Sequence, residues 1–178
     1  MTLLTAVFAA VICTVIWYKS ASARELKVGT LCWMFWGASC MWLGDAIFEY
    51  MELGAEYFAP AGADMLNDFF LGLSVVALAM VIWLVKLLQK AGFHPGVISR
   101  GYGTSNGSPV EVSSSSKASE IGDEPLLIVQ KARCPLVVCR NRVEAGRFLL
   151  EKHTEVDIIV SDDGMQHYAL ERDVEIML

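Results

Sequence analysis

The 178 residues contain no G-x-x-x-x-G-K-[ST] segment, the turn whose backbone amides and lysine cradle nucleotide phosphates in many phosphotransfer proteins. No C-x-x-C pair occurs and only three histidines are present, which removes the usual zinc spacings. Proline is scarce: of five, only Pro60 precedes Pro95, so little interrupts long helices in the first half. Charge is scarce there too, with five basic and seven acidic side chains in residues 1–90 against nine and thirteen in residues 91–178. No basic stripe forms anywhere, and the net charge of −6 argues against nucleic acid as a partner.

What is present instead is apolar. Hydrophobic residues make up 54% of the chain and its mean hydropathy is +0.45, above an ordinary soluble domain. Three stretches approach or reach the roughly 20 residues needed to cross a bilayer: Thr2 to Tyr18, Val28 to about Tyr50, and Phe69 to Leu88. The first connection carries Lys19, Arg24 and Lys27, whereas the second carries Glu52, Glu56, Asp64 and Asp68 and no basic residue. Basic connections stay in the cytoplasm. The expected arrangement therefore has the N-terminus outside and residues 90–178 cytoplasmic. A rival reading cleaves the first stretch as a signal peptide after Ala21-Ser22-Ala23, but no Lys or Arg precedes it and Trp17-Tyr18-Lys19 suits an interfacial anchor. Asp45, near the outer end of its stretch, reads as an interfacial carboxylate before a transport residue.

The second half has a different rhythm. Pro95 to Ser99 reads as a buried strand, Thr104 to Ser119 as a Ser/Gly-rich flexible loop, and Pro125 onward as about two turns of helix. Pro135 to Cys139 is a second strand, Asn141 to His153 an amphipathic helix, Val156 to Val160 a third strand and Val174 to Leu178 a fourth. Short apolar strands alternating with helices predict a parallel sheet covered on both faces, whose ligands collect at the strands' carboxyl ends. Arg100 and the pair Asp162-Asp163 stand at such ends. Cys13, Cys32 and Cys40 lie in apolar runs, and Cys134 and Cys139, placed on one strand, would face opposite sides; free thiols and a reducing compartment are expected. Taken singly, Asp162-Asp163-Gly164 suits an ordinary turn, His167 a structural histidine, Glu124 a solvated first-turn residue and Arg142 a surface charge opening its helix.

Together the motifs say more. Val81-Ile82-Trp83-Leu84-Val85 with Leu88-Gln89-Lys90-Ala91-Gly92, then Pro95-Gly96-Val97-Ile98-Ser99-Arg100-Gly101-Tyr102-Gly103, occur in order with Gly122-Asp123-Glu124-Pro125 and Arg142. Asp157-Ile158-Ile159-Val160-Ser161-Asp162-Asp163-Gly164-Met165-Gln166-His167-Tyr168 follows and runs to Arg172-Asp173. From about residue 81 to 178 the chain resembles the N-terminal lobe of tetraacyldisaccharide 4'-kinase, the lipid A 4'-kinase of Gram-negative bacteria. The resemblance implies a mixed fold: an all-α transmembrane region of three helices (1–90), then a partial α/β P-loop-kinase-like lobe with a parallel sheet (91–178), sharing helix 81–91 at the join.

It also implies ATP and Mg2+ as cofactors, and a lipid A precursor disaccharide and inner-membrane lipids as partners. Asp162 and Asp163 would hold magnesium, Asp123 would help take the proton of the sugar 4'-hydroxyl, and Arg100 and Arg142 would offset phosphate charge. Tyr102, Gln166 and His167 would line the cleft. The departure from the family is the phosphate loop. Where the family carries a strand and a loop ending in Gly-Lys-Thr, this chain has the apolar run from Asp68 to Met80. Phosphoryl transfer depends on positioning and charge offset, so impaired catalysis is expected. The expected architecture is a small three-span protein joined near residues 78–82 to a kinase fragment lacking the second lobe. The alternative, of another class, is a non-catalytic three-span protein with a cytoplasmic binding or relic domain.

The orientation is directly testable. Green fluorescent protein fused after Leu178 is expected to fluoresce in a Gram-negative host, and alkaline phosphatase at the same place to stay inactive. An active phosphatase fusion would reverse the topology.

Overall fold

Uncharged residues without proline allow helix to run unbroken, and in the computed structural model they do so three times over. The structure describes residues 2–101, 107–162 and 167–174. Helix α1 spans Thr2–Lys19, a short α2 spans Ala21–Glu25, α3 spans Val28–Leu53 and α4 spans Gly62–Lys90. Three helices are thus long and apolar enough to cross a membrane. The turn between α1 and α3 is made by capping. Ser20 accepts from the Ala23 amide at 3.3 Å, and Arg24 Nη1 donates to the carbonyls of Trp17 and Tyr18, satisfying the open end of α1.

The chain forms two compact units, Met1–Trp83 and Leu84–Leu178, whose boundary falls within α4. In the first, Ala10, Leu31, Phe35 and Ala79 make a narrow buried seam. Gly72 admits Thr5 so closely that a Cβ there would stand 2.8 Å from the threonine's own Cβ. Small residues at helix contacts, joined by Trp36 Nε1–H to Thr14 Oγ1 at 3.1 Å and Trp83 Nε1–H to the Leu26 carbonyl at 2.8 Å, are how helices associate in lipid. The bulky residues point the other way: Phe8, Ile12, Trp33, Met41 and Phe48 are all exposed.

The second unit holds a four-stranded sheet in the order β2-β3-β1-β4. Strand β1 (Pro95–Ser99) lies at its centre, buried throughout, pairing in parallel with β3 (Leu136–Val138) and β4 (Ile158–Ser161). The sheet is not wholly parallel, as the sequence had suggested. Val110–Glu111, within the stretch read as loop, forms an edge strand β2 antiparallel to β3, and Ala118–Ile121 forms a short helix α5. A two-residue strand is too brief to show a period, and the neighbouring serines mask it. Helix α6 (Asp123–Ala132) starts two residues before Pro125, which is tolerated because first-turn amides have no helical acceptor.

Helix α7 runs Arg142–Lys152, and β4 begins two residues later than expected because its pairing starts opposite Pro95. Cys134 and Cys139 flank β3 instead of sharing it; both are buried, and all five cysteines are free. Of the fourth expected strand, Val174 is not in a strand, and residues 175–178 lie outside the described residues. On one face of the sheet, Ile98, Val137, Cys139, Ala145, Leu149 and Val156 form the core, and Gly96 lets α7 approach: an added Cβ would meet Leu149 Cδ2 at 2.6 Å.

The edge strand is pinned from outside. Glu111 accepts from Lys152 and lies 2.8 Å from His153 Nε2, and His153 Nδ1 reaches Glu155 at 3.1 Å. The bond from Glu111 raises the His153 pKa from its ordinary 6.5, and the bonds from Lys152 and His153 lower that of Glu111 from 4.5. The His153 contribution is fully present below pH 6.5 and is lost as pH rises through its raised folded value. That of Glu111 is present above pH 4.5 and is lost as pH falls through its lowered folded value. His153→Gln is therefore expected to speed amide exchange at Val112, which bonds Leu136, most between pH 4.5 and 6.5 relative to the unsubstituted chain at each pH. The difference should fade at alkaline pH; a pH-independent ratio would show that the histidine acts only by packing.

Candidate functional site

Parallel strands present their carboxyl ends together, and three of them end here in side chains that can do chemistry or hold it. Ser99 closes β1 and donates its hydroxyl to Asp162 Oδ2 at 3.3 Å. Asp162 follows β4, and its amide donates to the Ile98 carbonyl at 3.0 Å. At the end of β3, the Cys139 amide donates to the Ser99 carbonyl at 3.0 Å, and its thiol to the Gly107 carbonyl at 3.2 Å.

Arg142, read from the sequence as either a phosphate partner or a surface charge, is not on the surface: it is 1% exposed. Its Nη1 donates to the Cys139 carbonyl at 2.8 Å and its Nη2 to the Asp162 carbonyl at 3.0 Å, so one guanidinium spans the ends of β3 and β4. Asn141 makes this possible. Its side-chain oxygen caps α7 by accepting from Val143 and Glu144 amides at 3.1 and 3.4 Å, while its Nδ2 donates to Glu144 Oε1. The cap fixes where α7 begins, and Arg142 is its first residue.

His167 is half-buried, and its pKa is lowered, first by burial and then by the positive charges of Arg142 and Arg100. Those three expected site residues are therefore electrostatic neighbours. Arg100 itself is exposed, directly after β1. Asp123 is exposed at the first position of α6 and is not part of the Ser99–Asp162–Arg142 bonded set; Glu124 is exposed beside it. Tyr102, Asp163 and Gln166 lie outside the described residues. Sequence reasoning quoted Ser99 within a motif but gave it no role. Its signal was its place as the last polar residue of an otherwise apolar strand.

Among the described residues no group of three His, Cys, Asp or Glu is placed to hold a metal ion. Magnesium does not require one, because it keeps its waters and takes one or two carboxylates together with substrate phosphates. The oxygen donors present suit that chemistry: the Asp162 carboxylate with the Ser99 hydroxyl on it, and Ser161 Oγ, buried and without a hydrogen-bond partner among the described residues.

Fold and site together define a protein of three long apolar helices and a small mixed α/β sheet whose strand tips gather Ser99, Asp162 and Arg142. Comparison with known proteins makes this specific. The family profile "Tetraacyldisaccharide-1-P 4'-kinase" matches residues 79–178, and the chain belongs to that family. The tetraacyldisaccharide 4'-kinase of Herminiimonas arsenicoxydans is 56% identical over 99 residues, 56% of this chain and 28% of that protein. That of Shewanella frigidimarina is 40% identical over 163 residues, 92% of this chain and 47% of that protein, an alignment that reaches well into the first unit. The chain thus spans between a quarter and a half of the length of these relatives. No solved structure matches it.

One glycine is built into the site. Gly101, in the motif after β1, has φ +66, and a Cβ there would stand 2.8 Å from Val138 Cβ. Gly101→Ala must bear both backbone strain and a clash with a buried strand, so it is expected to destabilise this unit by about 2–4 kcal/mol. Amide exchange at Cys139 and Val97 would register the loss; unchanged protection would mean that the loop shifts without cost.

Proposed function

We propose that the chain is a lipid A biosynthesis kinase homologue of the inner membrane, directed at ATP-dependent phosphorylation of the 4'-hydroxyl of a tetraacyldisaccharide-1-phosphate. The observation that carries this reading is the bonded cluster of Ser99, Asp162 and Arg142 at the strand tips, inside the stretch that the family profile matches. Asp162, with Asp163, would hold magnesium, which when bound would neutralise the phosphate oxygens and align them with the acceptor. Arg100, exposed beside β1, is available to a phosphate; burial first, then the charges of Arg142 and Arg100, lower the His167 pKa from its ordinary 6.5. Asp123, at the opening of α6, would take the proton of the sugar hydroxyl; Tyr102, Gln166 and His167 would line the cleft.

The three apolar helices would place the second unit on the cytoplasmic side, where a lipid-linked sugar presents its head group. Without a glycine nest and its lysine before the strand-tip half, turnover by these 178 residues is expected to be weak or nil. That same lack of a phosphate loop favours the second reading, a three-span protein whose cytoplasmic unit binds without catalysis.

Binding separates the readings from a relic. Fluorescent ATP with magnesium should bind saturably to the detergent-solubilised chain, and Asp162→Ala/Asp163→Ala should reduce the affinity at least tenfold. Phosphate transfer to the disaccharide in a follow-up assay would favour the enzyme; binding alone would favour the second reading. Absence of binding would defeat the enzyme reading and leave the three-span protein with a relic domain.

A further inference from the structure

Asp162 is the carboxylate on which the proposed function turns, and the fold holds it from two sides. Ser99, 5% exposed, donates its hydroxyl to Oδ2, and Arg142, 1% exposed, donates Nη2 to the same residue's carbonyl. The Asp162 amide is tied to Ile98, and the other end of the guanidinium is tied to Cys139. Three strand ends are thereby locked into one register around a single residue. We infer that Ser99 and Arg142 are positioning residues for Asp162: the hydroxyl orients its carboxylate, and the guanidinium fork holds its main chain.

This assigns Ser99 a role in the site and gives Arg142 a task different from direct phosphate contact. A head group 1% exposed, with two donors committed to main-chain carbonyls, is not presented to a ligand in solvent. The fork matters more than the charge. Arginine bridges two carbonyls through a rigid plane, whereas the lysine ammonium is a compact point charge on a flexible stem and would not span both. Partners that orient a metal-binding carboxylate commonly set its affinity by ten- to a hundredfold.

The inference rests on the reading of Asp162 as a magnesium–nucleotide carboxylate, and two measurements on the full chain in detergent keep the two separable. The first is binding of Mn2+ with ATP, followed by electron paramagnetic resonance, in the native chain and in Asp162→Asn, Ser99→Ala and Arg142→Lys. Loss in Asp162→Asn upholds the underlying reading. Given that, Ser99→Ala and Arg142→Lys should each weaken binding about ten- to a hundredfold. Native affinity in both would overturn the positioning role, and native affinity in Arg142→Lys alone would show that charge, not the fork, is what counts.

The second measurement needs no ligand. Amide exchange at Asp162 should accelerate at least tenfold in Arg142→Lys while Val97 and Val137, deep in β1 and β3, keep their protection. Equal protection at Asp162 would overturn the role of Arg142 whether or not the metal binds. Loss at all three sites would show a general stabilising role and overturn the local one. If Mn2+ with ATP does not bind the native chain, the nucleotide reading fails, and exchange at Asp162 still decides the brace.

Discussion

Burying a guanidinium costs several kcal/mol unless its hydrogens find acceptors, and in this chain the acceptors are the loose ends of two strands. Strand ends are where a sheet runs out of partners, so carbonyls there need donors. Arg142 supplies them to Cys139 and Asp162 at once. The arrangement explains why α7 must begin where it does, why Asn141 caps it, and why the aspartate after β4 has a defined position. The guanidinium directly ties the ends of β3 and β4, which do not pair with one another.

The central strand carries a second constraint. Strand β1 is flanked on both sides and buried throughout, so every close approach to it is filtered by side-chain size. Gly96 admits α7 against one face, and Gly101 turns the chain away past Val138 immediately after the strand ends. The described part of the motif in and after β1 is therefore also a packing requirement: Gly96 and Gly101 make room, Ser99 reaches Asp162, and Arg100 is exposed. Identity in such a segment reflects fold as much as chemistry, which is why family membership and activity are separate statements for this chain.

The first unit carries much of its apolar bulk on the outside. Its buried seam sets Ala10 and Ala79 beside Leu31 and Phe35, while Trp33, Phe8, Phe48 and Leu43 are exposed, a surface that helices of membrane-crossing length can offer to lipid. Two indole N–H groups find oxygen within the unit, at Thr14 and at the Leu26 carbonyl.

Much of this was legible in one dimension. Apolar length located the three long helices, and alternation of short apolar runs with an amphipathic segment located β1, β3, β4 and α7 to within two residues, because burial imposes its period on the sequence directly. Three things were not legible. The edge strand β2 is too short to have a period and owes its place to Glu111 meeting Lys152 and His153 across some forty residues. The depth of Arg142 could not be read from a charged residue at a helix start, where solvent exposure is the ordinary outcome. Nor could the contact of Ser99 with Asp162, 63 residues apart, be seen before β1 and β4 were paired in register. Periodicity is a local consequence of burial and survives in the sequence; which polar groups meet at the strand ends is decided only when the strands are brought side by side.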